Sequence, residues 1–569
     1  MYKGIAGSEG IGIGTVVLIE EHEINIETKR VEETGAEIER LQNAIEKFVA
    51  DTNVMAEKMD ITVGKKDADI LRGHIQMLQD PMIEEQISAL MISEKISAEM
   101  ALEQVLDQTA EMFATVPDEL IQQRATDLMD IKSRMLKILM GIEEVDISQV
   151  PANTVLVARD LTPSMTAGIN PANIAGILTE VGGRTSHSAI LARAMEIPAV
   201  LSIEGICGIV KNGDTVVLDG SKGEAIVNPD EATVKEYETK RAEFVAYKEE
   251  LKKLVNEKTI TTDGHQVELV ANIGSAKDLA GVKENGGEGV GLFRTEFLYM
   301  ESAELPTEEQ QFEVYKEVLE GMEGKPVVVR TLDIGGDKEI EAIDLPKEMN
   351  PFLGVRAIRL CFQREDIFRT QLRALLRASV YGDLRIMFPM IATLQEFRKA
   401  KGILMEEKEK LIAEGVKVSD TLQVGIMIEI PAAAVLAHKF AKEVDFFSVG
   451  TNDLVQYTFA ADRMSSGVSY LYQPFNPSIL NLLKHVIDSA HAEGKWAGMC
   501  GEMAGEAIAA PLLLGLGLDE FSMSATSILA QRKLIKSVSK ADMEALVEKA
   551  LDCATSEEVV ELVKSTVKM

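Results

Sequence analysis

Cysteine is scarce in this chain, and histidine nearly so. Cys207, Cys361, Cys500 and Cys553 are the only cysteines in 569 residues. No two lie close in sequence, so there is no Cys-x-x-Cys pair for a metal or a redox couple, and a reducing compartment is expected. Long apolar runs are also missing. The most apolar window, Val424 to Ala437, is too short to span a bilayer and contains Glu429 and Pro431. The first residues, Met1-Tyr2-Lys3-Gly4-Ile5-Ala6-Gly7, lack the apolar core of a secretory signal. Positive charge is in deficit, with 59 Lys and Arg against 92 Asp and Glu and a net charge of −33. Such a chain repels nucleic acid and anionic lipid and attracts basic partners. No Gly-x-x-x-x-Gly-Lys-Ser/Thr phosphate loop occurs. A cytoplasmic protein that neither inserts into membranes nor binds nucleic acid is expected.

What is present is most telling at Gly182-Gly183-Arg184-Thr185-Ser186-His187-Ser188-Ala189-Ile190-Leu191-Ala192-Arg193. One of only seven histidines stands where a glycine turn meets an apolar helix. A helix start offers unpaired N–H groups and partial positive charge, and so welcomes a phosphate. Neutral imidazole is a nucleophile that can hold a phosphoryl group covalently. With an ordinary pKa of roughly 6.5, much of it is neutral near pH 7.

The length suggests three or four domains, and the 46% hydrophobic content is ample for their cores. Ile11 to Ile19 has strand texture. From about Ile24 to Gly141 apolar residues recur at helical spacing, as in Ile38, Leu41, Ile45, Phe48 and Val49, and in Leu128, Ile131, Met135, Ile138 and Leu139. Pro81 and Pro117 sit at plausible helix starts. Strands return at 154–158, 174–178, 199–201, 215–218 and 224–227. Residues 1–20 and 146–228 are therefore expected to form one α/β domain, with a helical bundle over 21–145 inserted into it. Residues 231–258 are charged and free of Pro and Gly, so 229–260 reads as a connecting helix. Over 261–569, strands are expected at 267–273, 289–293, 327–332, 385–390, 424–430, 446–450, 496–500 and 520–523. This alternation fits a doubly wound sheet or a (β/α)8 barrel.

Reactive residues recur where those strands end: Arg294, Arg330, Glu429, Asn452 with Asp453, and Cys500, with Arg463 downstream. Barrel active sites are built at such ends. Arginines clamp phosphate and carboxylate. Two carboxylates suit Mg2+, which also takes substrate oxygens. A thiol could donate a proton, since cysteine titrates within reach of neutral pH.

The long motifs resemble the enzyme I family of the bacterial phosphoenolpyruvate:sugar phosphotransferase system. They are Gly182–Arg193, Gly289–Glu296, Arg330–Asp337, Asn350–Arg356, Gly425–Pro431, Gly450–Tyr457 and Met499–Glu502, and the resemblance runs from Gly4-Ile5-Ala6 to the C-terminus. One departure is Ser8-Glu9-Gly10, where the family has a small residue or proline in the middle. The resemblance implies a multidomain α/β protein: a swivelling phosphohistidine α/β domain with an inserted helical bundle, then a (β/α)8 barrel.

It implies that His187 accepts a phosphoryl group from phosphoenolpyruvate, with Thr166 touching the phosphohistidine. Arg294, Arg330, Asn452, Asp453 and Arg463 would bind the substrate, and Arg356 is a further phosphate contact. Glu429 and Asp453 match Mg2+ ligands, and Cys500 matches the residue that protonates the pyruvate enolate. The phosphoryl group would pass to a small histidine-phosphocarrier protein, driving sugar uptake. That partner would dock on the helical insert around Asp67, Asp69, Glu84 and Glu85, and the connecting helix would permit a swivel. A homodimer through the barrel is implied. A phosphoenolpyruvate synthase or pyruvate phosphate dikinase would need a nucleotide-binding domain, and a nitrogen-branch enzyme I an extra sensory domain; neither is expected. A non-enzymatic scaffold would be free to lose Glu429 or Asp453, and both are present.

Overall fold

A computed structural model describes residues 1–19, 26, 30–31, 33–62, 65–114, 119–142, 147, 150–162, 165, 169–183, 186–300, 304–336, 340, 342–343, 348–463 and 465–568. It divides into two compact units, Met1–Tyr247 and Lys248–Met569.

The first unit is built on an eight-stranded sheet: β1 (Tyr2–Lys3), β2 (Ile5–Ser8), β3 (Ile11–Leu18), β4 (Thr154–Ala158), β5 (Ile174–Thr179), β6 (Ala199–Leu201), β7 (Thr215–Asp219) and β8 (Glu224–Val227). Its spatial order is β1-β8-β7-β3-β4-β5-β6-β2. β4, Thr-Val-Leu-Val-Ala, is buried at every residue, as a central parallel strand covered on both faces must be. β3 and β4 are parallel neighbours, Thr15 against Thr154 through Leu18 against Val157. The helices between them are therefore an insertion into the sheet.

Those helices are α1 (Thr34–Thr62), α2 (Lys65–Leu78), α3 (Pro81–Glu94), α4 (Ala98–Ala114) and α5 (Glu119–Met140). The periodic residues face inward. Leu41, Phe48, Leu128, Ile131 and Met135 are buried together, with Ile38, Val49, Ile138 and Leu139 packed against them. Pro81 opens α3 behind Asp80, whose side chain accepts from Met82 N at 2.8 Å. Pro117 lies outside the described residues. Two helices matter later: α6 (His187–Ala194) and α7 (Glu231–Lys252).

The second unit is a closed barrel of eight parallel strands: β9 (Glu268–Ile273), β10 (Val290–Arg294), β11 (Pro326–Arg330), β12 (Asp383–Phe388), β13 (Gln423–Ile428), β14 (Phe446–Val449), β15 (Trp496–Met499) and β16 (Glu520–Met523). Pairing of β16 with β9, from Glu520 against Glu268 to Met523 against Ala271, closes it. This decides for the barrel over an open doubly wound sheet. The interior is lined by Leu292, Val328, Met387, Met427, Phe446 and Cys500, with Trp496 packed against them. The Trp496 and Phe446 rings stack at 4.5 Å. Among the described residues, no helix is long and apolar enough to cross a membrane.

Arg532 ties the chain entering the barrel to its body. It is fully buried and donates to the carbonyls of Leu254 (2.9 Å), Val255 (3.2 Å) and Gly286 (2.6 Å) and to Thr259 Oγ1 (3.1 Å). Charge-assisted hydrogen bonds contribute roughly 1.5–3 kcal/mol each, and their loss would leave buried acceptors unpaired. Arg532→Ala is expected to lower stability by about 3 kcal/mol or more in denaturant unfolding. A loss below about 1 kcal/mol would show that the tie is not structural.

Candidate active site

Each apolar strand run of the barrel breaks off on a polar residue at its C-terminal end. Arg294 ends β10 and Arg330 ends β11, and the two are paired in register. Glu429 follows β13 directly and Cys500 follows β15. Asn452 and Asp453 lie in the first turn of α8 (Thr451–Phe459), just beyond β14. The sequence-predicted groups thus share one rim of the barrel.

They are joined by a buried chain of alternating charge. Arg330, 6% exposed, donates from Nη2 to Glu296 Oε1 at 2.5 Å, and its Nη1 lies 2.9 Å from Asp333 Oδ2. Asp333 Oδ1 accepts from Arg356 Nε at 3.0 Å. Arg356 Nη1 and Nη2 then reach the two oxygens of Asp453, each at 3.1 Å. Burial alone would pull these guanidinium groups down. The facing carboxylates, Glu296 and Asp333 for Arg330 and Asp333 and Asp453 for Arg356, outweigh it and hold them above their ordinary range. An isolated buried charge would be costly, so the alternation is what lets five ionic side chains share this interior.

Glu429 is 1% exposed. Its Oε1 accepts from Met390 N at 2.5 Å. Met390 has φ of 55°, a left-handed conformation that costs a non-glycine residue roughly 1–2 kcal/mol, so the backbone is strained where it meets the carboxyl. Oε2 has no hydrogen-bond partner among the described residues. Burial, then the charges of Asp453 and Asp333, push the Glu429 carboxyl up to about 8 against Arg356 and Arg330. A cation would relieve that crowding, and two hard oxygen donors fit Mg2+. No group of three His, Cys, Asp or Glu side chains suited to a metal occurs among the described residues. Water or substrate oxygens would have to complete a shell around Glu429 and Asp453.

Cys500 is 6% exposed, and its amide donates to Val449 O at 3.0 Å. The sequence-based expectation of a thiol titrating near neutrality does not hold: burial pushes it up to about 11. The apolar interior disfavours the thiolate.

The remaining predicted residues flank this group. Arg294 is half-buried, its guanidinium 5.1 Å above the Phe297 ring, and its Nε has no hydrogen-bond partner among the described residues. Asn452 Oδ1 accepts from Tyr472 Oη (3.3 Å) and Glu502 N (3.4 Å). Arg463 donates its backbone N–H to Gln456 Oε1 at 3.0 Å, and its charge is felt by Tyr472. Gly501 lets this rim close, because a Cβ there would collide with Thr451 Oγ1 and N.

In the first unit, α6 begins at His187 itself. Gly182 turns the chain at φ 109°, and Ser186 caps the helix, accepting from Ala189 N at 3.3 Å. Ser188 Oγ donates to Asp160 Oδ1 at 2.7 Å. Thr166 and the His187 side chain lie outside the described residues. So does the side chain of Asp67. Asp69 is exposed and lies 2.6 Å from Arg72 Nη1, Glu84 is half-buried, and Glu85 is exposed on the first turns of α3.

Glu296 and Asp333 escaped the sequence reading. Their local signal is slight: an acid two residues after Arg294 and another three after Arg330. Only partners on other elements give them importance.

Three family descriptions match successive parts of the chain: "PEP-utilising enzyme, N-terminal" over residues 3–124, "PEP-utilising enzyme, mobile domain" over 150–223, and "PEP-utilising enzyme, PEP-binding domain" over 248–540. A phosphoenolpyruvate-protein phosphotransferase of Priestia megaterium is 56% identical, covering 99% of this chain and 98% of its own. Proteins of the same description from Bacillus subtilis (strain 168) and Staphylococcus carnosus (strain TM300) are 54% and 52% identical, each match covering 100% of this chain and 99% of theirs. Identity above one half over nearly the whole length places this chain in the phosphoenolpyruvate-protein phosphotransferase family.

Proposed function

We propose that this chain transfers the phosphoryl group of phosphoenolpyruvate to His187 and then to a histidine of a small phosphocarrier protein, releasing pyruvate and driving sugar uptake. The observation that carries the reading is the charged network at the barrel rim, where Arg330, Asp333, Arg356, Asp453 and Glu429 interact directly or through their charges. Arg294 and Arg330, on adjacent strands, supply the clamp for phosphate and carboxylate. Asn452 and Arg463 extend the cradle. Charge developing on the phosphoryl oxygens and the leaving enolate meets positive groups already in place.

His187 attacks in line as a neutral imidazole at a capped helix start. Cys500 donates to the enolate carbon; a thiol raised to about 11 still carries its proton at pH 7. Glu429 and Asp453 would hold Mg2+, which when bound neutralises charge on the reacting oxygens. His187 belongs to the first unit and the clamp to the second, so the reading requires the first unit to carry His187 between clamp and acceptor, with α7 as the connection. Asp69, Glu84 and Glu85 offer negative charge to a basic carrier surface. The dimer of the family reading is assigned to the barrel unit, and the protein to the cytoplasm.

The test is direct. Phosphoenolpyruvate labelled in its phosphate, with Mg2+, should leave an acid-labile label on the peptide containing His187 and release pyruvate in equal amount. Label on another residue, or phosphoenolpyruvate made from ATP and pyruvate, would overturn the reading.

A further inference from the structure

Two polar side chains of the barrel wall meet the backbone of Cys500, and the chemistry above leaves both unused. β15 ends at Met499, and its register with β16 stops there, Met499 against Phe521. Cys500 is one residue past that ladder. Its carbonyl accepts from a side chain instead: Asn272 Nδ2, on β9, donates to Cys500 O at 3.1 Å. In the barrel order β16 stands between β15 and β9, so the amide reaches across the width of one strand. Small residues keep that path open. Ser522 of β16 is fully buried, and Gly291 of β10 makes room for it: a Cβ on Gly291 would stand 2.5 Å from Ser522 Cβ and Oγ.

Ser522 Oγ donates to Asn272 Oδ1 at 2.6 Å. The two bonds together fix which way the amide points. A carbonyl only accepts, so the amide nitrogen must face Cys500, and its oxygen then faces a hydroxyl that can donate. On the opposite side, the Cys500 N–H donates to Val449 O at 3.0 Å. Cys500 is thus held at its N–H from β14 and at its carbonyl from β9. The second hold matters because Gly501 follows, and a residue without Cβ would let the intervening peptide plane turn. A cysteine side chain has one heavy-atom torsion, with three staggered wells. Once the backbone is fixed, sulfur has three positions to choose from, and the structure places it 3.8 Å from Val449 O.

We propose that Asn272 is a positioning residue for the protonation step: its amide, oriented by Ser522, fixes the Cys500 backbone so that the thiol meets the enolate carbon of the clamped substrate. This rests on the reading of Cys500 as proton donor. In that step the S–H bond breaks as the enolate electron pair forms the new C–H bond of pyruvate. Sulfur keeps its pair as thiolate and regains a proton from solvent after pyruvate leaves. Asn272 and Ser522 neither give nor take that proton. Both are neutral, so they order the thiol without adding charge to a rim already crowded with it. A proton crosses only a short gap, and a misplacement of about 1 Å can cost on the order of 10²-fold in rate.

The test measures single-turnover pyruvate formation by full-length protein with carbon-labelled phosphoenolpyruvate and Mg2+, in Asn272→Asp, in Cys500→Ala and in the double variant. Asn272→Asp keeps the shape and the acceptor for Ser522, but it turns a second acceptor towards the Cys500 carbonyl. It should slow pyruvate formation by about tenfold to a hundredfold. The phosphoenolpyruvate concentration giving half the maximal rate should stay within about twofold, because the clamp is untouched. In Cys500→Ala, with no thiol to place, the same substitution should cost less than about threefold. Asn272→Ala, which removes the amide without adding charge, should repeat the pattern and decides the matter if Asn272→Asp fails to fold. Ser522→Ala, which frees the amide to turn, should give a smaller loss of the same kind. A wild-type rate in both Asn272 variants overturns the proposal. So does an equal loss with and without the thiol, the mark of a merely structural role. Pyruvate formed at the wild-type rate by Cys500→Ala alone would instead overturn the donor reading itself.

Discussion

A His187→Ala chain is expected to take no acid-labile phosphate from phosphoenolpyruvate, where wild type takes one group per chain. Removing a nucleophile typically costs on the order of 10⁶ in rate, which puts the residual signal below detection. The substitution spares the local structure. Ser186 still caps α6 and Ser188 still holds Asp160, so helix and sheet should survive in circular dichroism. Four of the other described histidines are poor substitutes. His74 is fully buried, His485 Nε2 lies 3.1 Å from Val435 O, and His491 Nε2 lies 2.8 Å from Asp519. His265 is held below its ordinary pKa chiefly by burial, and its backbone N–H donates to the Thr261 hydroxyl while its carbonyl accepts from it. Acid-labile label persisting on the His187→Ala chain would end the assignment.

Cys500→Ala should slow pyruvate formation by about 10²–10⁴, the usual contribution of a positioned acid, while leaving phosphoenolpyruvate binding and the fold in place. The pH dependence gives a sharper check. An acid catalyst works in its protonated form. A thiol at its ordinary value of about 8.5 would give a falling limb near that pH. Burial has moved Cys500 up to about 11, so the thiol stays protonated through pH 9 and the wild-type rate should show no limb from this group there. A limb centred near 8.5 that disappears in Cys500→Ala would mean that the thiol is not the buried acid described here.

The two halves of the molecule were legible to different depths. The inserted bundle could be read because its core repeats at helical spacing, from Leu41 and Phe48 to Ile131 and Met135. β1 and β2, two and four residues long, are too short to leave a periodic trace and gain their place only by pairing with β8 and β6. The barrel strands were visible, but closure was not. It depends on Glu520 meeting Glu268, a contact across some 250 residues that no local pattern encodes. The rim shows the same division. Polar residues ending apolar runs pointed to Arg294, Arg330, Glu429 and Cys500. Asp333 is decisive because it joins Arg330 to Arg356, and the elevated pKa of Cys500 is a property of its surroundings.

The placement of β3 also has a consequence for how the chain is made. In the finished sheet β3 lies between β7 and β4. Both neighbours are synthesised later, β4 beginning at Thr154 and β7 at Thr215. At roughly 5–20 residues per second, a strand ending at Leu18 waits from several seconds to half a minute for its first parallel neighbour. Throughout that time its hydrogen-bonding edges are open, as an aggregation-prone edge strand is. The bundle, whose contacts are more local, is complete before β4 emerges. Its folding draws the ends of the insertion together and shortens the search that β3 must make on the ribosome.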